Sequence, residues 1–226
     1  MSAKFPKHKH ELKEDKFVTA AFLTSEFVVQ HWKKLLILAI IILVIIFVII
    51  AINANRKRVD SQALSQFDIA MSYYSNNDFE KSEEEFTILS ENYSSSKYHD
   101  WAFFYLGKIN IEKDSVDYNK AEQCFRKAGS KIHNKIIKEA AMIGIAKCYF
   151  GQNDIENYYA YLDEITKKFP DSFNTPEHIY EIAEHYFEKN DKVIAQKYYH
   201  KIVERYKTSS VFQKAKRRLG EIKEVE

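Results

Sequence analysis

Hydrophobic positions follow three different spacings along the chain. Phe17, Ala20, Ala21, Phe27, Val28 and Trp32 recur at helical intervals with Lys16, Glu26 and His31 between them. That is the pattern of an amphipathic helix. Leu35 to Ile52 then forms an uninterrupted run of 18 apolar residues. At ~1.5 Å per residue such a helix covers roughly 27 Å, close to the ~30 Å hydrocarbon thickness of a bilayer. A membrane-spanning helix is predicted over 35–54. A cleaved signal peptide would have a shorter leader and a shorter apolar core, and a buried helix of a soluble protein seldom runs this far without a polar atom. The amphipathic stretch before Lys33 and Lys34 suits the headgroup region, with Trp32 as an interfacial anchor; packing against a partner or against a second copy of itself is the alternative.

Beyond Arg58 the pattern becomes periodic. An apolar residue followed by a small one returns at Ile69-Ala70, Leu106-Gly107, Ile145-Ala146, Ile182-Ala183 and Leu219-Gly220, in steps of 37, 39, 37 and 37. A constant period of this size marks stacked helix pairs. Tyr73, Tyr149 and Tyr186 follow their anchors by four, and Asn77-Asp78, Asn153-Asp154 and Asn190-Asp191 then supply a turn that ends one helix and caps the next. The second helices carry Ser82, Ala121 and Ala195, then Phe86, Phe125 and Tyr199, then Leu89, Ala128 and Ile202. The third unit continues with Leu162, Ile165 and Pro170, and has Tyr158 where its neighbours are small. The two extra residues of the second repeat fall in the loop Lys113 to Asp117. Phe212, Ala215, Leu219 and Ile222 share one face of a last helix whose other faces carry Lys214, Lys216, Arg217, Arg218 and Lys223, as a solenoid cap requires.

Composition narrows the class. Five Gly and three Pro in 226 residues leave little material for hairpins or phosphate-cradling loops, which argues for an all-α fold and against a Gly-rich nucleotide site. Cys124 and Cys148 are too few for a disulfide framework and read as buried free thiols within helices. With 34 basic and 32 acidic side chains the net charge is +2, which argues against a nucleic-acid partner. Lys16, Lys33 and Lys34 before the span balance Arg56, Lys57 and Arg58 after it, so charge does not choose an orientation. His8 and His10 sit in a basic tail, and His178 and His185 lie seven apart on one helix without a ligand partner, so solvent-facing roles are expected. No catalytic constellation, cofactor motif or metal site emerges. The expected organisation is a basic tail with an amphipathic helix over 1–34, the span over 35–54, and a repeat domain over 55–226.

The repeat resembles the tetratricopeptide family over residues 63 to about 223, most closely at Leu106-Gly107, Tyr118, Ala121, Phe125 and Ala128 and at Ile182-Ala183, Tyr186, Ala195 and Tyr199. Asn110 in place of the first-helix Tyr and a period above the usual ~34 are departures. The resemblance implies an α-solenoid of about four helix pairs plus a C-terminal capping helix, with a concave surface lined by first helices. Its groove positions are Phe67, Met71 and Tyr74; Trp101, Phe104, Lys108 and Ile111; Ile143, Lys147 and Phe150; and Tyr180, Glu184 and Phe187. Aromatic grooves of this kind suit protein or peptide segments. Phe67, Phe104 and Phe150 are equivalent and are expected to form an exposed row, although some of these rings could instead close the stack. Some family members hold C-terminal carboxylates with Lys and Asn, but Phe67 and Met71 occupy the corresponding first-repeat positions here.

As a whole, the tail Lys9 to Val18, the single span and the repeat array are similar to the bacterial YfgM-like family. That resemblance implies an inner-membrane protein with a cytoplasmic N-terminus and periplasmic repeats, acting as an ancillary partner of the SecYEG translocon and of periplasmic chaperones. Two alternatives are a cell-envelope assembly adaptor resembling BamD-like proteins and a cytosol-facing organelle import receptor.

Overall fold

A computed structural model describes residues 16–129 and 135–223. The tail containing His8 and His10 lies outside them. The described residues form helices only: α1 Lys16–Ser75, α2 Phe79–Asn92, α3 His99–Glu112, α4 Tyr118–Ala128, α5 Lys135–Gly151, α6 Ile155–Lys168, α7 Thr175–Glu188, α8 Lys192–Arg205 and α9 Phe212–Lys223. The chain divides into two compact units, Met1–Asn55 and Arg56–Glu226.

In the first unit α1 runs without a break from Lys16 through the apolar stretch, so the residues ahead of the span belong to the same helix rather than to a separate one. The most apolar 18-residue window has a mean hydropathy of 3.9, and none of it is buried. Leu36 to Ile50 leave about half of each large side chain uncovered by protein. A core helix of a soluble fold would be covered; this one is long and apolar enough to cross a membrane. Trp32 is also exposed, with Lys33 Nζ 5.8 Å from its ring centroid.

The second unit stacks the end of α1 with α2, then α3 with α4, α5 with α6 and α7 with α8, and closes with α9. One short backbone device makes the hairpins. Asn77, Asn153 and Asn190 adopt left-handed φ of 58°, 58° and 61°. There the N–H of the following Asp reaches back to Tyr73, Tyr149 and Tyr186 carbonyls at 3.0, 2.9 and 2.8 Å, satisfying a helix end. The same Asp then starts the next helix: Asp78, Asp154 and Asp191 side chains accept from the backbone N–H of Lys81, Asn157 and Ile194. In the second repeat Asp117 caps through Lys120, but the turn is longer by the two residues in Lys113 to Asp117, and no left-handed residue is needed. Its backbone N–H reaches the carbonyl of Asn110, whose own side chain donates to Leu106 at 2.7 Å.

A second device joins successive repeats. Tyr93, Phe169 and Tyr206 end α2, α6 and α8, and their carbonyls accept from the N–H of Ser96, Ser172 and Ser209. Those serines in turn accept from His99, Thr175 and Phe212 as the next helices begin.

The core follows the repeat. Phe86, Phe125, Leu162 and Tyr199 are at most 1% exposed, beside Leu89, Ala128, Ile165 and Ile202. Full burial of each large side chain contributes roughly 1.5–3 kcal/mol. Ser82, Ala121 and Ala195 are fully buried, whereas the larger Tyr158 stays half-buried against the core and donates to Glu181 of α7 at 2.5 Å. On α9, Ala215, Leu219 and Ile222 are buried against the last pair, while Gly220 meets nothing. Cys124 and Cys148 are buried free thiols, and burial pushes the Cys148 thiol up to about 12.

Candidate binding groove

The thirteen groove positions divide into three environments. At the first repeat they are filled by the protein's own aromatics. Tyr105 of α3 stacks on Phe86 at 5.1 Å and also meets Phe67 and Tyr74, at 5.8 and 5.1 Å. Phe67 additionally touches Tyr98 at 5.5 Å. Phe67, Met71 and Tyr74 are consequently half-buried members of the core between α1, α2 and α3. Trp101 is also half-buried, edge-on to Phe104 at 5.9 Å.

At the fourth repeat the positions are occupied by the cap. Arg218 of α9 lies over the Phe187 ring at 4.6 Å and pairs with Glu184 at 2.7 Å. Tyr199 donates to the same carboxylate, and Tyr180 lies 5.8 Å from Tyr199. Burial alone would raise the Glu184 pKa, but the hydrogen bonds from Arg218 and Tyr199 hold it below the usual carboxylate range.

Between these closed ends the structure leaves a cleft of about 320 Å³ between α3 and α5. Five expected residues converge there: Phe104, Lys108, Ile111, Ile143 and Lys147. Its floor is Phe125, which the residue spacing places in the core but not in the site. A Cβ added at Gly107 or Gly144 would come within 2.8 or 2.7 Å of that ring, so these two glycines let α3 and α5 close on it. A glycine inside a helical pattern was the available sequence signal for Gly144. The rows of equivalents do not form one exposed stripe: Phe104 is half-buried, 5.8 Å from Phe125, and Phe150 alone of the three is exposed, at 59%.

Charge is confined to the rim. Glu112 takes a hydrogen bond from the Tyr74 hydroxyl and lies 3.4 Å from Lys108, whose ammonium also sits 5.0 Å from the Tyr74 ring. Burial and then Glu112 raise the Tyr74 pKa, which keeps the phenol a donor. Lys147 is exposed and pairs with no carboxylate among the described residues. The cleft therefore offers an apolar seat with one uncompensated cation at its edge.

The histidines differ from expectation. His178 is half-buried with Nε2 unpartnered, and burial lowers its pKa against the nearby Glu181, Glu139 and Glu177. His185 stacks on Tyr159 at 3.7 Å. Among the described residues, no three His, Cys, Asp or Glu side chains gather in a way that would hold a metal.

The stacked pairs and the groove define a helical-repeat interaction protein. A family match covers residues 26–177, to the tetratricopeptide repeat-like domain, and the chain belongs to that family. No curated protein matches it. The matched region begins ahead of Leu35 and so includes the apolar stretch of α1.

Proposed function

We propose that the protein is a non-catalytic, membrane-anchored scaffold that captures a segment of a partner protein in the cleft between α3 and α5. The observation that carries this reading is the convergence of Phe104, Ile111 and Ile143 over Phe125, with Lys147 free at the rim. An apolar side chain seats on the ring, and a neighbouring carboxylate of the bound segment meets Lys147. Burial of such an anchor supplies most of the affinity, while the rim charge sets register.

Within this reading α1 anchors the protein in a bacterial inner membrane by a single pass, with the N-terminus in the cytoplasm and the repeats outside it. The finer role is that of an ancillary partner of the SecYEG translocon and envelope chaperones. Support comes from the uncovered apolar helix, its inclusion in the family match, and the likeness of the architecture to the YfgM-like family.

Co-isolation from native membranes tests the capture. Translocon subunits should accompany the wild type, be lost with Ile143→Asp and be reduced with Lys147→Glu, while the variants melt within a few degrees of it. Equal recovery from all three would overturn the groove assignment, and recovery of other envelope proteins alone would overturn the translocon role.

A further inference from the structure

A second cleft, of about 400 Å³ and lined by charged and polar side chains, lies between α6 and α8, on the second helices of the third and fourth repeats and away from the groove of the first helices. Its cations are unusually crowded. Lys197 and Lys201 line it four residues apart on α8, and Arg205 continues the same stripe of like charge just beyond the lining. Lys167 of α6 faces the same space.

The acids present do not neutralise this group. Asp163 has both oxygens engaged, one by Lys167 at 2.5 Å and the other by the Tyr198 hydroxyl at 3.0 Å. Glu204 lines the cleft without an ion pair among the described residues. Lys197 and Lys201 likewise make no ion pair or hydrogen bond among them, although Lys201 is partly buried. After Asp163 is cancelled by Lys167, the remaining Lys197 and Lys201 exceed Glu204 by one positive charge.

From this geometry we infer that the cleft between α6 and α8 binds a phosphate group, held by Lys197 and Lys201 with Lys167 beside them. Separate ammonium heads are point charges on flexible stems, arriving here from two helices, and they suit the diverging oxygens of a tetrahedral dianion. A planar carboxylate is better matched by the fork of an arginine. His200 and Tyr198 at the wall add polar hydrogen-bonding groups. The charge state of Lys201 points the same way. Burial lowers its pKa, Arg205, Lys167 and Lys197 lower it further, and only Asp163 opposes them. An anion in the cleft would relieve that repulsion.

The test is calorimetric titration of the full chain in a nonionic detergent with inorganic pyrophosphate. Wild type should bind it saturably, and the double variant Lys197→Gln/Lys201→Gln should weaken binding by about tenfold or more, the loss of ~1.4 kcal/mol. Lys214→Gln/Lys216→Gln on α9 removes the same net charge elsewhere and should leave binding unchanged. Displacement of pyrophosphate by a short-chain phosphatidate below its micellar concentration would support the site with a lipid headgroup as its source. Pyrophosphate binding without that displacement would support it with a soluble phosphate. Absence of saturable binding, equal weakening by both double variants, or binding of a glutamate-rich peptide but not of pyrophosphate would overturn the assignment.

Discussion

Arg218 holds the Glu184 carboxylate by two sides of its guanidinium, with Nε 3.0 Å from Oε1 and Nη2 2.7 Å from Oε2. The pair joins α9 to α7 across 34 residues of sequence, and Glu221 adds a third contact to Arg218 at 2.8 Å. Apolar burial of Ala215, Leu219 and Ile222 seats the cap, and this charged fork fixes its register while covering the groove face of the fourth repeat.

Arg218→Ala should therefore lower stability at pH 7 by about 1–3 kcal/mol, the range for charge-assisted hydrogen bonds whose partner is left partly buried. Because Glu184 is held below its ordinary carboxylate range in the folded state, the pair's contribution is present above the unfolded value and is lost as pH falls through the folded one. Melting curves of wild type and variant should be well separated at neutral pH and converge in acid.

Glycine substitutions should change sign along the chain. Gly144→Ala places a methyl carbon 2.7 Å from the buried Phe125 ring and should cost ~1–3 kcal/mol by overpacking, despite the better helix propensity of Ala. Gly220→Ala meets nothing within 4 Å and should stabilise by ~0.5–1 kcal/mol. Thermal denaturation of the two variants checks both signs.

The hairpin turns make a matched pair of predictions. Asn190 has a φ of 61°, so Asn190→Ala should destabilise by ~1 kcal/mol while Asn190→Gly is close to neutral. Asp191→Ala removes the cap on the Ile194 N–H and should cost ~1 kcal/mol. Chemical denaturation resolves differences of this size.

These turns were legible in the sequence because backbone strain selects few residue types. The Asn-Asp pairs, the 37-residue anchors, the two-residue insertion before Asp117 and the cap all sit where their spacing places them. The groove was legible only in its middle. Phe67 and Tyr74 occupy groove register, yet Tyr105, one residue beyond Phe104, turns back and covers them. Glu184 also has the right register, but Arg218 from a separate helix claims it. Spacing fixes which face of a helix a side chain occupies; it does not fix which neighbour's rotamer fills the space above it. Phe125 was legible as a core residue, and its second role as the cleft floor depends on the two glycines on either side.

His178 gives the fold a second acid sensitivity. Burial lowers its folded pKa below the ordinary ~6.5, so the neutral ring contributes stability above that value that is lost as pH falls through the folded one. His178→Gln should flatten the fall in melting temperature between neutral and mildly acidic pH, and a slope identical to wild type would place the sensitivity elsewhere.

Both cysteines should resist alkylation until the domain opens. Burial raises both thiols, Cys148 to about 12, and leaves almost no thiolate near neutral pH. Mass spectrometry after iodoacetamide treatment at pH 7.5 should find neither labelled in the native protein and both labelled in denaturant.

Site-specific photocrosslinking in intact membranes tests the central claim most directly. A photoreactive residue placed in turn at Lys108, Ile143 and Lys147 samples the open cleft, and one at Gln123 or Glu156 samples exposed positions on second helices. Adducts to one partner from the cleft positions, absent from Gln123 and Glu156, are the predicted result. Adducts from Gln123 and Glu156 with none from the cleft would contradict it.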